Sequence, residues 1–598
     1  MNAAFLHHYE AELDYLRRAL GEFEAAHPQK ARALGVTAGR IADPDLNRLA
    51  DSLALVSARL HARLDAALPE FALDLARILC PSLLLGAPSY AAVRLAAAPG
   101  ALTEPVALPA GSELAFGPEG APDCLFVAAR PVQLAPLALS GLRLEHAPFG
   151  FAVPEAARGA EAALCLTLTP DDPGTPLAEL LTGPLELYVA APAARKARLI
   201  EALSGDVVAV GAAAPDGDER ATQMLDGGAL SLVLDREDGA APFLPGHPAE
   251  PWGLALLRDF LAYPDKAAFF ALSGLVDLPA ATAPGGVDLR IFLGTRAAQA
   301  LTRTAPDDLA VNVVPVVNCF EALSEPLRHD FTRPSVPLTP RREGEMHVEV
   351  LQVQGLRALT PEGELPLPEV TTPARTGGPE RVAWQERFEI APFDPTRRDI
   401  SFSAPDAGDG LPDPIDVVAT LLCSNGTEAF RPRPGATGRF VHDELAEIPF
   451  ALLDEPTAPV PPDPSPARLW DMLALVGGNF AVLFDADDPA AGLRTALHLA
   501  APAGHCEAAA AIDAVALSQS VAPLSVGGNV LLSAGTRIEV VIVPEALPYP
   551  PQVFAAVLRR FFAGFVSYDR FFQLVLRPRG QAAPLVSFAK IHGSQPCL

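Results

Sequence analysis

Basic residues are scarce in this chain. Its 598 residues carry 45 Lys and Arg against 72 Asp and Glu, a formal net charge of -27, and no Lys/Arg-rich run appears. Nucleic-acid binders show a basic patch, so composition argues against that class, and an anionic membrane surface is disfavoured on the same electrostatic ground. Cysteine is also sparse. The seven thiols, Cys80, Cys124, Cys165, Cys319, Cys423, Cys506 and Cys597, are odd in number and scattered. No pair is spaced as a metal knuckle or redox pair. Apolar neighbours, as in Leu164-Cys165-Leu166, point to buried free thiols in a reducing cytoplasm. The first residues lack the basic region and continuous apolar run of a signal peptide. One uncharged window, Ala514 to Thr536, has the length of a membrane span. Ser518, Gln519, Ser520, Pro523, Ser525, Gly527, Gly528 and Asn529 interrupt it, so it reads as strand, turn, strand. The expectation is a soluble, cytoplasmic protein with no direct membrane insertion.

Enzyme signatures are missing as well. There is no phosphate-binding Gly-Lys loop, no His-Glu-x-x-His helix and no Gly-x-Ser-x-Gly elbow. Adjacent His7 and His8 point in different directions on a helix, which argues against a shared metal. His61 with Asp65 and His27 with Glu24 supply two candidate ligands each, too few for a site. His329-Asp330 has the form of an oriented base, without a nucleophile motif to serve. Asp171-Asp172, Asp307-Asp308 and the group Asp485 to Asp488 do not complete a calcium loop, the last because Pro489 stands where a ligand is needed. Asn425-Gly-Thr427 matches a glycosylation acceptor only formally and reads as a turn. No catalytic, cofactor-binding or metal residue is assigned. A hydrolase with a dispersed site around His329 and a soluble β-rich ligand-binding module stay open as alternatives. The latter has only seven Tyr and three Trp for an aromatic-lined site.

What the chain has in quantity is apolar and kinked sequence. Half its residues are hydrophobic and 62 are proline, about twice the usual ~5%. Large cores and many short elements follow, in three or four domains by length. The opening stretch, Phe5 to Ala25, places Leu6, Tyr9, Leu13, Leu16, Leu20 and Phe23 at alternating steps of three and four, a heptad seam. Charged residues fill most of the remaining face, so the helix needs a partner: a hairpin within the chain, or another subunit. Asp43-Pro44 predicts a helix start with Asp43 as N-cap. The second helix carries Leu46, Leu49, Leu53, Val56 and Leu60 before Arg63 breaks the seam, and a third runs from Glu70 to Leu79.

From Ser89 the period changes to that of strands. Residues 1–88 read as a helical bundle-forming segment, 89–345 as an α+β domain with mostly antiparallel strands, 346–455 as β-rich, 456–466 as a proline-rich linker and 467–598 as a C-terminal α+β domain. The linker, PTAPVPPDPSP, is more than half proline and predicts an extended, semi-rigid spacer. The last strong helix, from Pro551 to Val566, has a seam of Phe554, Leu558, Phe561 and Phe565. The fold class is α+β and multidomain, a helical N-terminus followed by β-rich mixed domains, and the shape expected is elongated.

Several segments, in order, carry a resemblance. They are Tyr9-Glu-Ala-Glu-Leu-Asp-Tyr-Leu16, Phe23-Glu-Ala-Ala-His-Pro28, Ala42-Asp-Pro-Asp45, Leu68-Pro-Glu70 and Leu79-Cys-Pro81. Further on come Gly253 to Lys266 followed by Phe269-Phe270, Val311 to Phe320, Leu421 to Asn425, Leu469-Trp470 and the helix Val553 to Val566. This order resembles the TssF (ImpG/VasA) family of type VI secretion baseplate subunits. Leu475 to Asn479 is more glycine-rich than the family pattern, and the proline linker is longer. The resemblance implies a structural subunit without enzymatic activity or cofactor. Two such chains would join one TssG-like chain in each wedge, with TssK-like trimers attached. Spike and sheath-initiating proteins are further partners it implies. The wedge would sit in a cytoplasmic baseplate docked to an inner-membrane complex and support sheath and tube polymerisation. It also favours a shared bundle for the opening helix, with Leu6, Tyr9, Leu13, Leu16, Leu20 and Phe23 as interface residues.

Overall fold

A computed structural model describes residues 3–33, 35–37, 40–41, 43–96, 102–117, 123–214, 222–236, 241–244, 252–282, 284–341, 346–370, 382–388, 398–403, 413–441, 445–463, 465–477, 488–502, 504–526, 529–566 and 570–592. Cys597, Gly39, Asp485 to Asp487 and Gly478-Asn479 lie outside them. The chain divides into two compact units, Met1–Ile78 with Pro464–Leu473, and Leu79–Asp463 with Ala474–Leu598.

The first unit is helical. Helix α1 spans Ala3–Ala26, α2 spans Pro28–Ala33, and a two-residue β-turn pairing of Val36–Thr37 with Arg40–Ile41 leads to α3 at Pro44–Leu79. The start of α3 is as expected. Asp43 Oδ1 accepts from the Asp45 amide at 2.9 Å, satisfying one of the donors a helix start leaves open. Its length is not as expected. The second and third helices of the sequence reading are one helix of 36 residues that runs through Pro69. A proline inside a helix forfeits one backbone bond. The apolar stripe keeps its phase across it, since Leu53 and Phe71 are 18 residues apart, five turns at 3.6 residues each.

The second unit is built on a closed barrel. Its strands follow the order Val313–Val317, Tyr90–Leu95, Pro449–Leu452, Thr437–Phe440, Glu113–Phe116 and Cys124–Ala128. Alternate side chains point inward, so Leu114, Phe116, Phe126, Val314, Phe440 and Phe450 fill its interior. Phe440 and Phe450 meet edge to face at 4.8 Å. Gly438 fits closely there: a Cβ would lie 3.0 Å from the Ala115 carbonyl and 3.1 Å from both Leu114 and Phe116. Beside the barrel, Phe320–Leu323, Ile415–Ser424, Glu349–Thr360 and Gly363–Leu367 form an antiparallel sheet.

Two helices of this unit cross at small residues. Helix α4, Trp252–Ala262, packs on α5, Pro551–Ala563. A Cβ on Gly253 would stand 2.5 Å from the Arg560 carbonyl oxygen and 2.7 Å from that of Phe561. Next to α5, the uncharged window is the hairpin expected: Ile512–Val526 pairs antiparallel with Asn529–Ile542, and Phe571–Pro578 adds in parallel. Among the described residues no helix is long and apolar enough to cross a membrane.

The proline-rich run is extended and tied down along part of its length. Ala87 and Val460 exchange backbone hydrogen bonds of 2.8 Å, and the Tyr90 amide donates to Thr457 Oγ1 at 2.9 Å. Two carboxylates hold the residues leading into and beneath it: Lys196 Nζ lies 2.8 Å from Asp454 and 2.6 Å from Asp265. Cys124, Cys165, Cys319, Cys423 and Cys506 are free and buried, and Cys80 is buried. Burial pushes the thiols of Cys124 and Cys423 up to about 12 and that of Cys165 to about 11.

Candidate protein interface

The opening seam lies on one side of α1. Tyr9, Leu13, Leu16, Leu20 and Phe23 are half-buried, whereas Tyr15, Arg18 and Glu22 are exposed. The side chain of Leu6 lies outside the described residues. None of the five is fully buried, so the atoms of this chain cover the seam without sealing it. Within the unit α1 packs on α2 and on the Val36–Thr37 and Arg40–Ile41 pair. Phe23 also meets the His27 ring at 5.4 Å, which accounts for that histidine without a metal.

The second seam is more open. Leu53 is 56% exposed and Val56 66%, although both were expected to face a partner helix. Their neighbour Ala54 is fully buried, so the helix turns its small residue inward and its large ones out. The same stripe continues past Pro69. Phe71 lies at the angle of Leu53, and Ile78 within about 20° of it at 100° per residue. Both are exposed. Trp470, from the segment that returns to this unit, meets Phe71 with ring centroids 6.2 Å apart. The sequence reading assigned Phe71 and Ile78 to a separate short helix and quoted Trp470 only within the family pattern. Carrying the helical phase across Pro69 was the signal that unites them.

The chemistry-bearing candidates are placed elsewhere and are not assembled. His329 is buried, stacked on Phe402 at 4.5 Å and edge-on to Phe331 at 4.9 Å. Burial pulls its pKa down, against the opposing charge of Asp330. Asp330 itself accepts from the Thr332 hydroxyl at 2.6 Å and amide at 3.1 Å; these bonds hold its carboxyl below the usual range. His329 therefore sits among rings, not in the polar pocket that a dispersed hydrolase site requires. Asp308 is spent on Arg195 at 2.6 Å and on the Ala305 amide, and Asp172 caps the turn at Gly174 and Thr175. Asn425 is buried and bonded to Asn318, His347 and the Leu125 amide, a structural pin. Among the described residues no three His, Cys, Asp or Glu side chains are grouped as a metal site would need.

The pattern of the family described as "Type VI secretion system, TssF" matches residues 1–595. The chain belongs to the TssF family. A curated relative, type VI secretion system component TssF1 of Pseudomonas aeruginosa, is 25% identical over 632 residues, covering 100% of both chains. Two solved structures share the fold. A chain of a type VI secretion TssK-TssF-TssG baseplate subcomplex, seen by cryo-electron microscopy, superposes with a TM-score of 0.70 at 22% identity, covering 92% of this chain and 99% of the other. A chain of a type VI secretion baseplate complex gives 0.57 at 21% identity, covering 99% and 100%. The mixed α+β, multidomain architecture expected from the sequence is shared with these two solved chains.

Proposed function

We propose that this chain is a structural subunit of the type VI secretion baseplate wedge. It assembles with TssG-like and TssK-like subunits and with a second copy of itself, and supports sheath and tube polymerisation around the spike. Its role is conformational and needs no catalysis or cofactor. It acts in the cytoplasm, within a baseplate docked to an inner-membrane complex, where spike and sheath-initiating proteins are further contacts. Family membership over residues 1–595 supports the apparatus, and the TssK-TssF-TssG assembly in which a relative was solved supports the partners.

One observation carries the interface assignment. The heptad seam of α1 is only half-buried, and the stripe on α3 exposes Leu53 and Val56 by 56% and 66%. Large apolar side chains arrayed along helices of this length are the material of an intersubunit bundle. Leu6, Tyr9, Leu13, Leu16, Leu20 and Phe23 form the first seam of that bundle. The test replaces Leu13 and Leu16 together with Asp and measures co-purification with the TssG-like partner, while circular dichroism follows the rest of the chain. Loss of co-purification with the other unit still folded is expected. Undiminished co-purification would sink the assignment.

A further inference from the structure

A cleft of about 710 Å³ opens in the second unit between the barrel and the sheet that contains Phe320–Leu323. Its size falls within the ~300–1,000 Å³ of ligand-binding sites. Phe243, Trp252, Phe320 and Leu422 supply its apolar walls. It is open along one side, whereas a small molecule is held with roughly 70–90% of its surface covered. An open trough of this kind suits a length of polypeptide that lays one side chain into it.

The wall is held before anything binds. The Phe243 amide donates to Asp259, whose carboxylate also meets Lys266 Nζ at 3.1 Å. The same ammonium lies 3.8 Å from the centroid of the Phe243 ring and donates to the Ala241 carbonyl at 3.0 Å. Lys266 and Asp259 are both buried. A charge pair beneath the segment Ala241 to Phe243 therefore fixes the aromatic face, so little ordering cost falls on binding.

The rim is selective in charge. Glu321 stands exposed on the rim, with the amide of Gln354 beside it, and no Lys or Arg is among the described lining residues. A carboxylate beside an apolar floor repels anionic partners and favours cationic ones. Cys319 also lines the cleft, but burial raises its pKa well above the ordinary thiol value; the cleft binds and does not react.

We propose that this cleft receives an extended peptide segment of a partner protein, carrying a bulky apolar anchor with a Lys or Arg next to it. The assignment is independent of the helical bundle and stands or falls without it. Fluorescence anisotropy on the full chain tests it with a fluorescein-labelled decapeptide of alternating Leu and Arg, its Leu/Glu counterpart, and dodecylammonium as competitor. The Leu/Arg peptide binds and the Leu/Glu peptide does not. Glu321→Lys and Gln354→Trp, both at exposed positions, each weaken binding about tenfold or more, as loss of a charge partner or a plugged cleft does. Glu545→Lys, exposed and outside the cleft, leaves it unchanged. Equal weakening by Glu545→Lys would show general attraction to an acidic protein and overturn the proposal. Binding untouched by both cleft variants would do the same, and so would failure of the Leu/Arg peptide to bind. If Gln354→Trp perturbs folding, Glu321→Lys alone decides.

Discussion

Leu53 and Phe71 stand on the same line of α3, five helical turns apart, and each is 56% exposed. Between them the helix passes Pro69 without ending. Leu53, Val56, Phe71 and Ile78 spread over about 37 Å of this helix at 1.5 Å per residue, and large apolar side chains exposed on one side of a helix over that distance are more than solubility explains. Scattered exposed leucines are ordinary, but large apolar side chains aligned on one helix face are the pattern of an interaction surface.

Replacing Leu53 and Phe71 together by Glu separates folding from assembly. Neither side chain is buried, so the isolated chain should unfold within about 0.5 kcal/mol of the parent, the range of surface changes. Recovery of wedge complexes from co-expression should fall sharply, because a charge placed in a bundle seam must be desolvated. Urea unfolding and size-exclusion chromatography with mass measurement read the two effects. A stability loss of several kcal/mol would instead mean that this face is core.

Two glycines should respond in opposite directions to a single methyl group. At Gly253 an added Cβ meets the carbonyl oxygens of Arg560 and Phe561, backbone atoms that cannot swing away. Gly253→Ala should lose about 1–3 kcal/mol, the usual cost of overpacking. At Gly21, within α1, no atom beyond its chain neighbours and the helix's own backbone lies within 4 Å of the new Cβ. Gly21→Ala should stabilise the helix of the isolated chain by up to about 1 kcal/mol. Denaturant midpoints of the two variants, compared with the parent, check both signs.

Where the hydrophobic period was strong, local structure was legible. The change of period at Ser89 is met by strand Tyr90–Leu95, and the turn residues of the uncharged window oppose a membrane helix where the structure has a hairpin. The break of the seam at Arg63 divided one helix into two, whereas Leu53 and Phe71 share one phase through Pro69 and the backbone continues. The barrel could not be read, since closure joins Tyr90–Leu95 to Pro449–Leu452 and Val313–Val317, strands hundreds of residues apart with no local signal of pairing. The seam of α1 was visible as a repeat. Its exposure was not, because periodicity records that a face is apolar and not what covers it. The cleft was hidden for a related reason: Trp252, Phe320 and Leu422 come from three separate segments.

The pH dependence of stability should carry the signature of His329. Burial among Phe331 and Phe402 holds its folded pKa below the ordinary value near 6.5. The unfolded chain then binds more protons in the window just below that value, so stability rises with pH through it. Conversely, the contribution present above pH 6.5 is lost as the pH falls through the folded pKa. His329→Phe keeps an aromatic ring in place and removes the proton site. Thermal melts between about pH 5 and 8 should show a smaller acid-side loss for this variant than for the parent. Parallel curves would mean that His329 does not titrate differently on folding.

Asp259 and Lys266 should prove coupled, and their coupling should reach the cleft. Lys266→Met leaves a buried carboxylate without its cation, a change that costs about 3–5 kcal/mol when one partner of a buried pair is removed. Asp259→Asn keeps an oxygen for the Phe243 amide, so Asp259→Asn with Lys266→Met removes both charges and retains that bond. The double variant should therefore be more stable than Lys266→Met alone, a non-additivity that a double-mutant cycle in urea measures directly. The ammonium also lies against the Phe243 ring. The double variant, though folded, should hold that ring less firmly and bind the Leu/Arg peptide more weakly than the parent. If instead the double variant loses the sum of the two single losses, the pair contributes no coupling. The fixed wall of the cleft must then be attributed to packing around Phe243 alone.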